Sequence, residues 1–313
     1  SFMWIFPVSI AFIYFCFNWQ TIDIVKKFTV QETLQVREEN VHIKILFYNT
    51  YYGQSWWPPF PMKTRKCFKT DILCETSNNY SDITSADAIV FHLRDTGCSF
   101  PERILSQHWI QFTLESRSNE VPTQAACFQP QFNRSWSFQE SSDAVFRYWY
   151  MNPTSEPRPV NVIPKTDLVL WVVSNCRAKN KRMQYVEKLA DYAEVHVVTR
   201  ECSFQNKRIK IVQCKDCNEL VQKYKFYLAF ENSFCEDYVT EKTHKALSNG
   251  AVPVVYGGAN YTKYLPKGSY IDARQYTPEQ LGKYFNHLDT HQDEYLKYFS
   301  WRSSYEVQRY IPE

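Results

Sequence analysis

Residues 225–258 read KFYLAFENSFCEDYVTEKTHKALSNGAVPVVYGG, and the alternation of apolar runs and polar breaks in this stretch decides the fold. Phe226 to Phe230 is short and almost wholly apolar, the pattern of a strand covered on both faces. Glu231-Asn232-Ser233 interrupts it. Asp237 and Thr240 are helix-starting residues, and Tyr238 to Ser248 has helix-compatible composition. Asn249-Gly250 is a left-handed stop, after which Ala251 to Tyr256 returns as a second apolar strand closed by Gly257-Gly258. Strand, helix and strand together make the unit from which parallel sheets are built. Where the helix of such a unit begins, free backbone N–H groups and the positive end of the helix dipole converge and favour an anion. Tyr238, Glu241, Lys242 and Lys245 lie near one another at helical spacing. Lys242 reads as facing a diphosphate and Glu241 a sugar or ribose hydroxyl; a solvated Glu/Lys face is the plainer alternative.

The same grammar extends upstream. Asp167 to Val173 is a buried strand ending at Ser174-Asn175, and Lys179 to Ala190 follows as a helix with Met183, Val186, Leu189 and Ala190 on one face. Arg182 sits in its first turn, a second cation at a second helix start. Glu194 to Thr199 is a further strand. Nearer the amino end, Val41 to Tyr48 and Ala88 to His92 are strands, the second ending in Leu93-Arg94-Asp95, polar groups that a parallel sheet directs into a cleft. Asn49 to Pro61 is an aromatic, proline-punctuated loop, either lining a sugar site or packed. His108 to Ser116 alternates, with Ile110, Phe112 and Leu114 on one face and Trp109, Gln111, Thr113 and Glu115 on the other.

Composition narrows the function. The 313 residues suffice for two domains, and a net charge of +3 is too small to point to nucleic acid. With 7 glycines there is no Gly-rich phosphate loop, which moves any nucleotide site onto helix ends, Lys and Arg. Aromatic residues make up 17% of the chain, and those left exposed suit sugar rings. Of the 10 cysteines only Cys214 and Cys217 form a Cys-x-x-Cys, and no histidine stands at zinc spacing, so disulfides in an oxidising lumen are expected and no metal site. Asn79, Asn133 and Asn260 begin Asn-x-Ser/Thr glycosylation signals. Phe2 to Phe17 is apolar apart from Ser9 and reads as an uncleaved signal anchor; a cleaved signal peptide and a buried helix are the alternatives.

The runs FYLAFENS, DYVTEK and GAVPVVYGG closely resemble the donor-binding signature of the α1,3-fucosyltransferases. That resemblance implies an α/β, GT-B glycosyltransferase, two Rossmann-like domains facing across a cleft, that takes GDP-fucose as donor and N-acetylglucosamine-containing glycans as acceptors. It places Asn232, Tyr238, Glu241 and Lys242 at the donor. Trp171-Val172-Val173-Ser174-Asn175 followed by Arg182 is similar to a second donor motif, in which the arginine meets the pyrophosphate. His92-Leu93-Arg94-Asp95 resembles the family's HHRD element, on the acceptor side, with Leu93 in place of the second histidine; an arginine at the position of Arg94 goes with α1,3 transfer. Glu115 falls where the family carries its general base. Gln139 and Glu140 replace paired arginines of relatives, a departure that favours the alternative of a non-catalytic sugar- or nucleotide-binding relative. A GT-B transferase using another nucleotide sugar is the third reading. Cys235 after Glu231-Asn232-Ser233-Phe234, with Cys202 upstream, looks more like the invertebrate or core-type branch, and Cys202 is expected to pair with Cys214, Cys217 or Cys235.

The implied organisation is an anchor at 1–18, a stem at 19–40, an acceptor-side domain at 41–150, a proline-rich linker at 151–166 and a donor-binding domain at 167–313. The implied enzyme is a single-pass type II Golgi membrane protein with its catalytic part in the lumen. No Asp-x-Asp occurs in the chain, and neither a metal nor another cofactor is expected.

Overall fold

In the computed structural model, residues 42–53, 65–66, 73–116, 131–154, 156 and 162–309 are described. The expected anchor and stem, at 1–18 and 19–40, lie outside them. Among the described residues no helix is long and apolar enough to cross a membrane. The chain divides into two units, one ending at Phe146 and the other running from Arg147 to Arg309.

The first unit is built on β1 (His42–Phe47), β2 (Arg65–Lys66), β3 (Leu73–Ser77), β4 (Ala88–His92), β5 (His108–Thr113), β6 (Arg134–Ser137) and β7 (Ala144–Val145). They form one sheet in the order β2-β3-β1-β4-β5-β6-β7, parallel except for β2. All five residues of β4 are buried, as the unbroken run AIVFH requires. On β5 both Trp109 and Ile110 are fully buried, so the alternation seen in the sequence marks two packed faces. Leu46, Ile89, Phe91 and Trp109 form the core, flanked by Phe100 and Phe132. Each such side chain contributes about 1.5–3 kcal/mol by leaving water.

The second unit has β8 (Trp149–Pro153), β9 (Asp167–Val172), α1 (Arg182–Leu189), β10 (Val195–Val198), β11 (Lys210–Ile211), α2 (Cys217–Val221), β12 (Tyr224–Phe230), α3 (Glu241–Ser248), β13 (Val252–Tyr256), β14 (Ile271–Asp272), α4 (Pro278–Thr290), α5 (Gln292–Leu296) and β15 (Tyr305–Arg309). Six strands form a wholly parallel sheet in the order β11-β10-β9-β12-β13-β14. Val186 and Leu189 of α1 and Leu281, Phe285 and Leu288 of α4 pack on Val169, Trp171, Phe226 and Val254 of the sheet. Thr277 and Gln280 close a capping box at the start of α4, with Pro278 in its first turn. Part of the expected linker is structured: Met151, Asn152 and Pro153 belong to β8, which pairs antiparallel with β15.

Helix starts depart from the sequence reading. The helix expected from Tyr238 begins at Glu241, because Asp237 takes a left-handed conformation (φ 60°), which a short polar side chain tolerates, and the chain stays non-helical up to Thr240. Likewise α1 begins at Arg182 and not at Lys179, behind a left-handed Lys181.

Candidate active site

Each sheet has one place where successive crossovers leave in opposite directions. In the second unit it lies between β9 and β12: the chain goes from β9 outward to β10, while β12 adds on the other side. Loops at the carboxyl ends of two such strands part there and leave a crevice. Ser174 and Asn175 follow β9, Asn232 follows β12, Arg182 opens α1, and Glu241 and Lys242 open α3. The strand order thus brings residues of both expected donor motifs to one crevice. Asn175 is exposed, and its Oδ1 accepts from the Arg177 N–H in a local turn.

Arg182 is buried, its guanidinium donating Nη1 to the Phe230 carbonyl (2.6 Å) and Nη2 to the Asn175 carbonyl (2.9 Å). It therefore ties together the two carbonyl ends that frame the crevice. Its Nε is buried with no hydrogen-bond partner, and burial lowers its pKa against the pull of Glu231. The buried Oδ1 of Asn232 likewise has no partner. Tyr238 is buried and its ring lies edge-on to Tyr148 at 6.5 Å.

Around Lys242 the arrangement is tighter than the sequence shows. Its ammonium donates to Thr240 Oγ1 (2.8 Å) and Glu241 Oε1 (3.1 Å), and stands 3.1 Å from Glu231 Oε2. Burial works against its charge, but Glu231 and Glu241 outweigh it and raise its pKa above the ordinary lysine value. Glu231 goes the other way: complete burial raises its pKa, only partly offset by Lys242. Thr240, the cap residue of α3, makes no side-chain bond to the backbone of its own helix. Its N–H and hydroxyl both donate to Glu231, and its carbonyl accepts from Trp149 Nε1 (3.1 Å).

The first unit repeats the topology. The crossover to β3 and the addition of β4 make β1 and β4 its parting strands. Asn49, after β1, accepts from the His92 N–H (2.8 Å) and donates to the His92 carbonyl (2.9 Å). Asp95 Oδ2 accepts from Thr50 Oγ1 (2.9 Å) and the Gly53 N–H (2.8 Å). These bonds fold the Asn49–Gly53 loop over the end of β4. His92 is therefore buried beneath Tyr51 and Tyr52, at ring separations of 4.6 and 4.9 Å, and its pKa falls to about 4 through burial. Arg94 is exposed and its guanidinium lies over the Tyr52 ring at 5.3 Å. Glu115, just beyond β5, accepts from Tyr52 Oη (3.3 Å). One tyrosine thus joins the candidate base Glu115 to Arg94, the arginine expected on the acceptor side.

Cysteine pairing differs from the expectation. Cys202 bonds to Cys176, and Cys214 to Cys217. Cys176 adjoins Asn175 and Cys202 lies beyond β10, so the bond staples the loop after β9 to the loop after β10. Asn79, Asn133 and Asn260 are all exposed, although Asn133 also bonds the Trp109 N–H (2.8 Å). Among the described residues no three His, Cys, Asp or Glu side chains gather as metal ligands.

Residues 40–149 match the family described as "Fucosyltransferase, N-terminal", and residues 162–312 match "Glycosyltransferase family 10 (fucosyltransferase) C-term". The chain belongs to glycosyltransferase family 10. Among its family-10 relatives, the 4-galactosyl-N-acetylglucosaminide 3-alpha-L-fucosyltransferase FUT5 of Homo sapiens is 34% identical over 74% of this chain and 63% of its own length. The corresponding fucosyltransferase 9 of Homo sapiens is 31% identical over 75% of this chain and 65% of its own length. The chain thus spans 63–65% of these relatives. A crystal structure of an α1,3-fucosyltransferase is 15% identical, shares 86% of this chain and 84% of its own, and superposes with a TM-score of 0.54. A crystal structure of an α1,3-fucosyltransferase with GDP-fucose gives 17%, 86%, 85% and 0.52. At that identity these structures establish the fold, parallel α/β sheets of the family-10 kind.

Glu231, Asn180 and Tyr52 take part in this family-10 site although their positions in the sequence do not mark them individually. Asn180 donates to the Glu231 carbonyl at 2.7 Å. Glu231 belongs to the FENS run, but a polar residue that breaks an apolar run reads as a turn. Tyr52 lay in the aromatic loop, where nothing local separates a packed ring from one holding a carboxylate.

Proposed function

We propose that the chain is an inverting glycosyltransferase of GT-B type that moves L-fucose from GDP-β-L-fucose to a hydroxyl of N-acetylglucosamine, forming an α1,3 linkage on glycoprotein or glycolipid glycans. The observation that carries this reading is the meeting of Asn175, Arg182, Glu241 and Lys242 at the β9/β12 crevice of a family-10 chain.

Inversion by single displacement needs a base on the acceptor hydroxyl and a grip on the departing diphosphate. Glu115 takes the hydroxyl proton as that oxygen attacks the anomeric carbon, and Tyr52 Oη keeps the carboxylate oriented. The bond to the diphosphate breaks with its electron pair going to GDP. GDP is a weak base and leaves without a general acid. The developing charge is met by Lys242, by the N-terminus of α3 and, from behind the crevice, by Arg182. Ser174, Asn175, Asn232, Tyr238 and Glu241 supply the remaining donor contacts, and His92 and Arg94 shape the acceptor side. The cations take the place of a metal, so transfer persists in EDTA. The apolar stretch Phe2 to Phe17, the glycosylation signals and the disulfides support a Golgi membrane enzyme with its catalytic part in the lumen.

The test is transfer by the purified chain from GDP-fucose, GDP-mannose and UDP-sugars to a panel of acceptor glycans. Product should form from GDP-fucose, and Glu115→Gln should lower its rate about 100–10,000-fold. Undiminished transfer by that variant removes Glu115 as the base, and product from another donor alone overturns the fucose assignment.

A further inference from the structure

Glu231 has no part in the chemistry above, yet it is fully buried (0% exposed) beside the candidate donor site. A carboxylate so placed is costly unless paired, and all its side-chain partners come from the start of α3. Oε1 accepts from the Thr240 N–H (2.8 Å) and hydroxyl (2.9 Å), and Oε2 lies 3.1 Å from Lys242 Nζ. Its main chain is tied down separately: its N–H donates to the Tyr256 carbonyl (2.9 Å), and its carbonyl accepts from Asn180 Nδ2 (2.7 Å). The carboxylate therefore stands on a fixed base at the end of β12 and reaches to one helix start.

This is a poor way to stabilise a helix. A threonine cap ordinarily turns its hydroxyl onto its own helix, and a buried ion pair is often no better than apolar packing. It is an effective way to fix one ammonium. Lys242 has two carboxylates beside it, and they differ in freedom. Glu241 has 48% of its side chain exposed and can turn to another partner, while Glu231 has nowhere to go. Of the two carboxylates, only Glu231 is held on all sides, so it keeps the lysine in place whichever way Glu241 turns.

We propose that Glu231 is a positioning residue, acting through Lys242, that holds the ammonium where the diphosphate of a sugar nucleotide leaves. The proposal rests on the donor-site reading given above.

A double-mutant cycle tests it, with kcat and donor KM measured for the wild type, Glu231→Gln, Lys242→Met and the double variant, and the thermal midpoint of each recorded without nucleotide. Glu231→Gln should lower kcat about 100-fold. The double variant should lose no more than Lys242→Met alone, because the residue through which Glu231 acts is already gone. Losses that multiply, or a Glu231→Gln enzyme with wild-type kcat, overturn the proposal. An undiminished Lys242→Met enzyme has a different meaning: it removes the donor-site reading, and this proposal with it. Should Glu231→Gln fail to fold, Thr240→Val, which deletes the hydroxyl that Glu231 and Lys242 share, enters the same cycle with the same expectation and the same overturning result.

Discussion

His92 shows how burial sets the behaviour of a single side chain. Its pKa of about 4 lies below the 6.5 of an exposed histidine because burial disfavours the imidazolium, although Asp95 Oδ2 is 3.6 Å from its Nδ1 and pulls the other way. The folded pKa is the depressed one. Above pH 6.5 both folded and unfolded chains hold a neutral ring; below it the unfolded chain binds a proton that the folded chain refuses, so stability falls from pH 6.5 down to about 4. The full loss is about 3 kcal/mol. Denaturant titrations at pH 7 and pH 4.5 should therefore show a smaller drop for His92→Gln than for the wild type. Tyr52 is the second residue-scale case. Its phenol pKa is raised, chiefly by burial, so it stays a donor to Glu115 throughout the working range. Tyr52→Phe should lower kcat about 10-fold and leave donor KM unchanged, a split readable in initial-rate kinetics.

At the level of strands, helices and loops, the staple between Cys176 and Cys202 bears on function. It restrains the loop whose Asn175 carbonyl receives Arg182, so the paired change Cys176→Ser with Cys202→Ser should raise the KM for GDP-fucose several-fold with kcat nearly kept. The corresponding change at Cys214 and Cys217, away from the donor loop, is the control. Gly258 is a different constraint. A Cβ there would lie 2.4 Å from the Cys235 backbone nitrogen, so Gly258→Ala must push β13 away from the loop ahead of α3. About 1–3 kcal/mol of stability should be lost, measured by the same titrations. The central strands of both sheets, β1, β4 and β5 in one and β9, β10, β12 and β13 in the other, are legible because runs such as AIVFH and FYLAF are covered on both faces. The outer strands β3, β6, β7, β11 and β14 are shorter or more polar and carry no such run. Helix starts are also less legible. Asp237 and Thr240 both suit a cap, and local sequence does not show that Asp237 turns left-handed to accept from Tyr264 Oη (2.8 Å) while Thr240 bonds a buried carboxylate. The partner of Cys202 was hidden for the same reason: it depends on two loops meeting beyond β9 and β10. At the crevice, Arg182, Glu241 and Lys242 stand out in the sequence as charged residues at helix starts, while Glu231 and Tyr52 matter through contacts that only the folded chain makes.

Across the whole molecule, the two units share a plan in which polar residues gather where parallel crossovers part. The second unit adds a closure of its own: β8, its first strand, pairs with β15, its last described one, from Trp149 opposite Arg309 to Pro153 opposite Tyr305. Trp149 also holds the Thr240 carbonyl. Ending the chain after Ser304 should therefore lower the thermal midpoint and weaken the stabilisation conferred by GDP, both readable in one melting series.

That pairing also imposes an order on biosynthesis. As the ribosome extends the polypeptide from its amino end, the segment bearing Trp149 emerges about 150 residues before its complementary partner. Until Tyr305–Arg309 has been made, the β8 edge waits unpaired beside the start of α3, open to chaperones, and the arrival of β15 is what seals it.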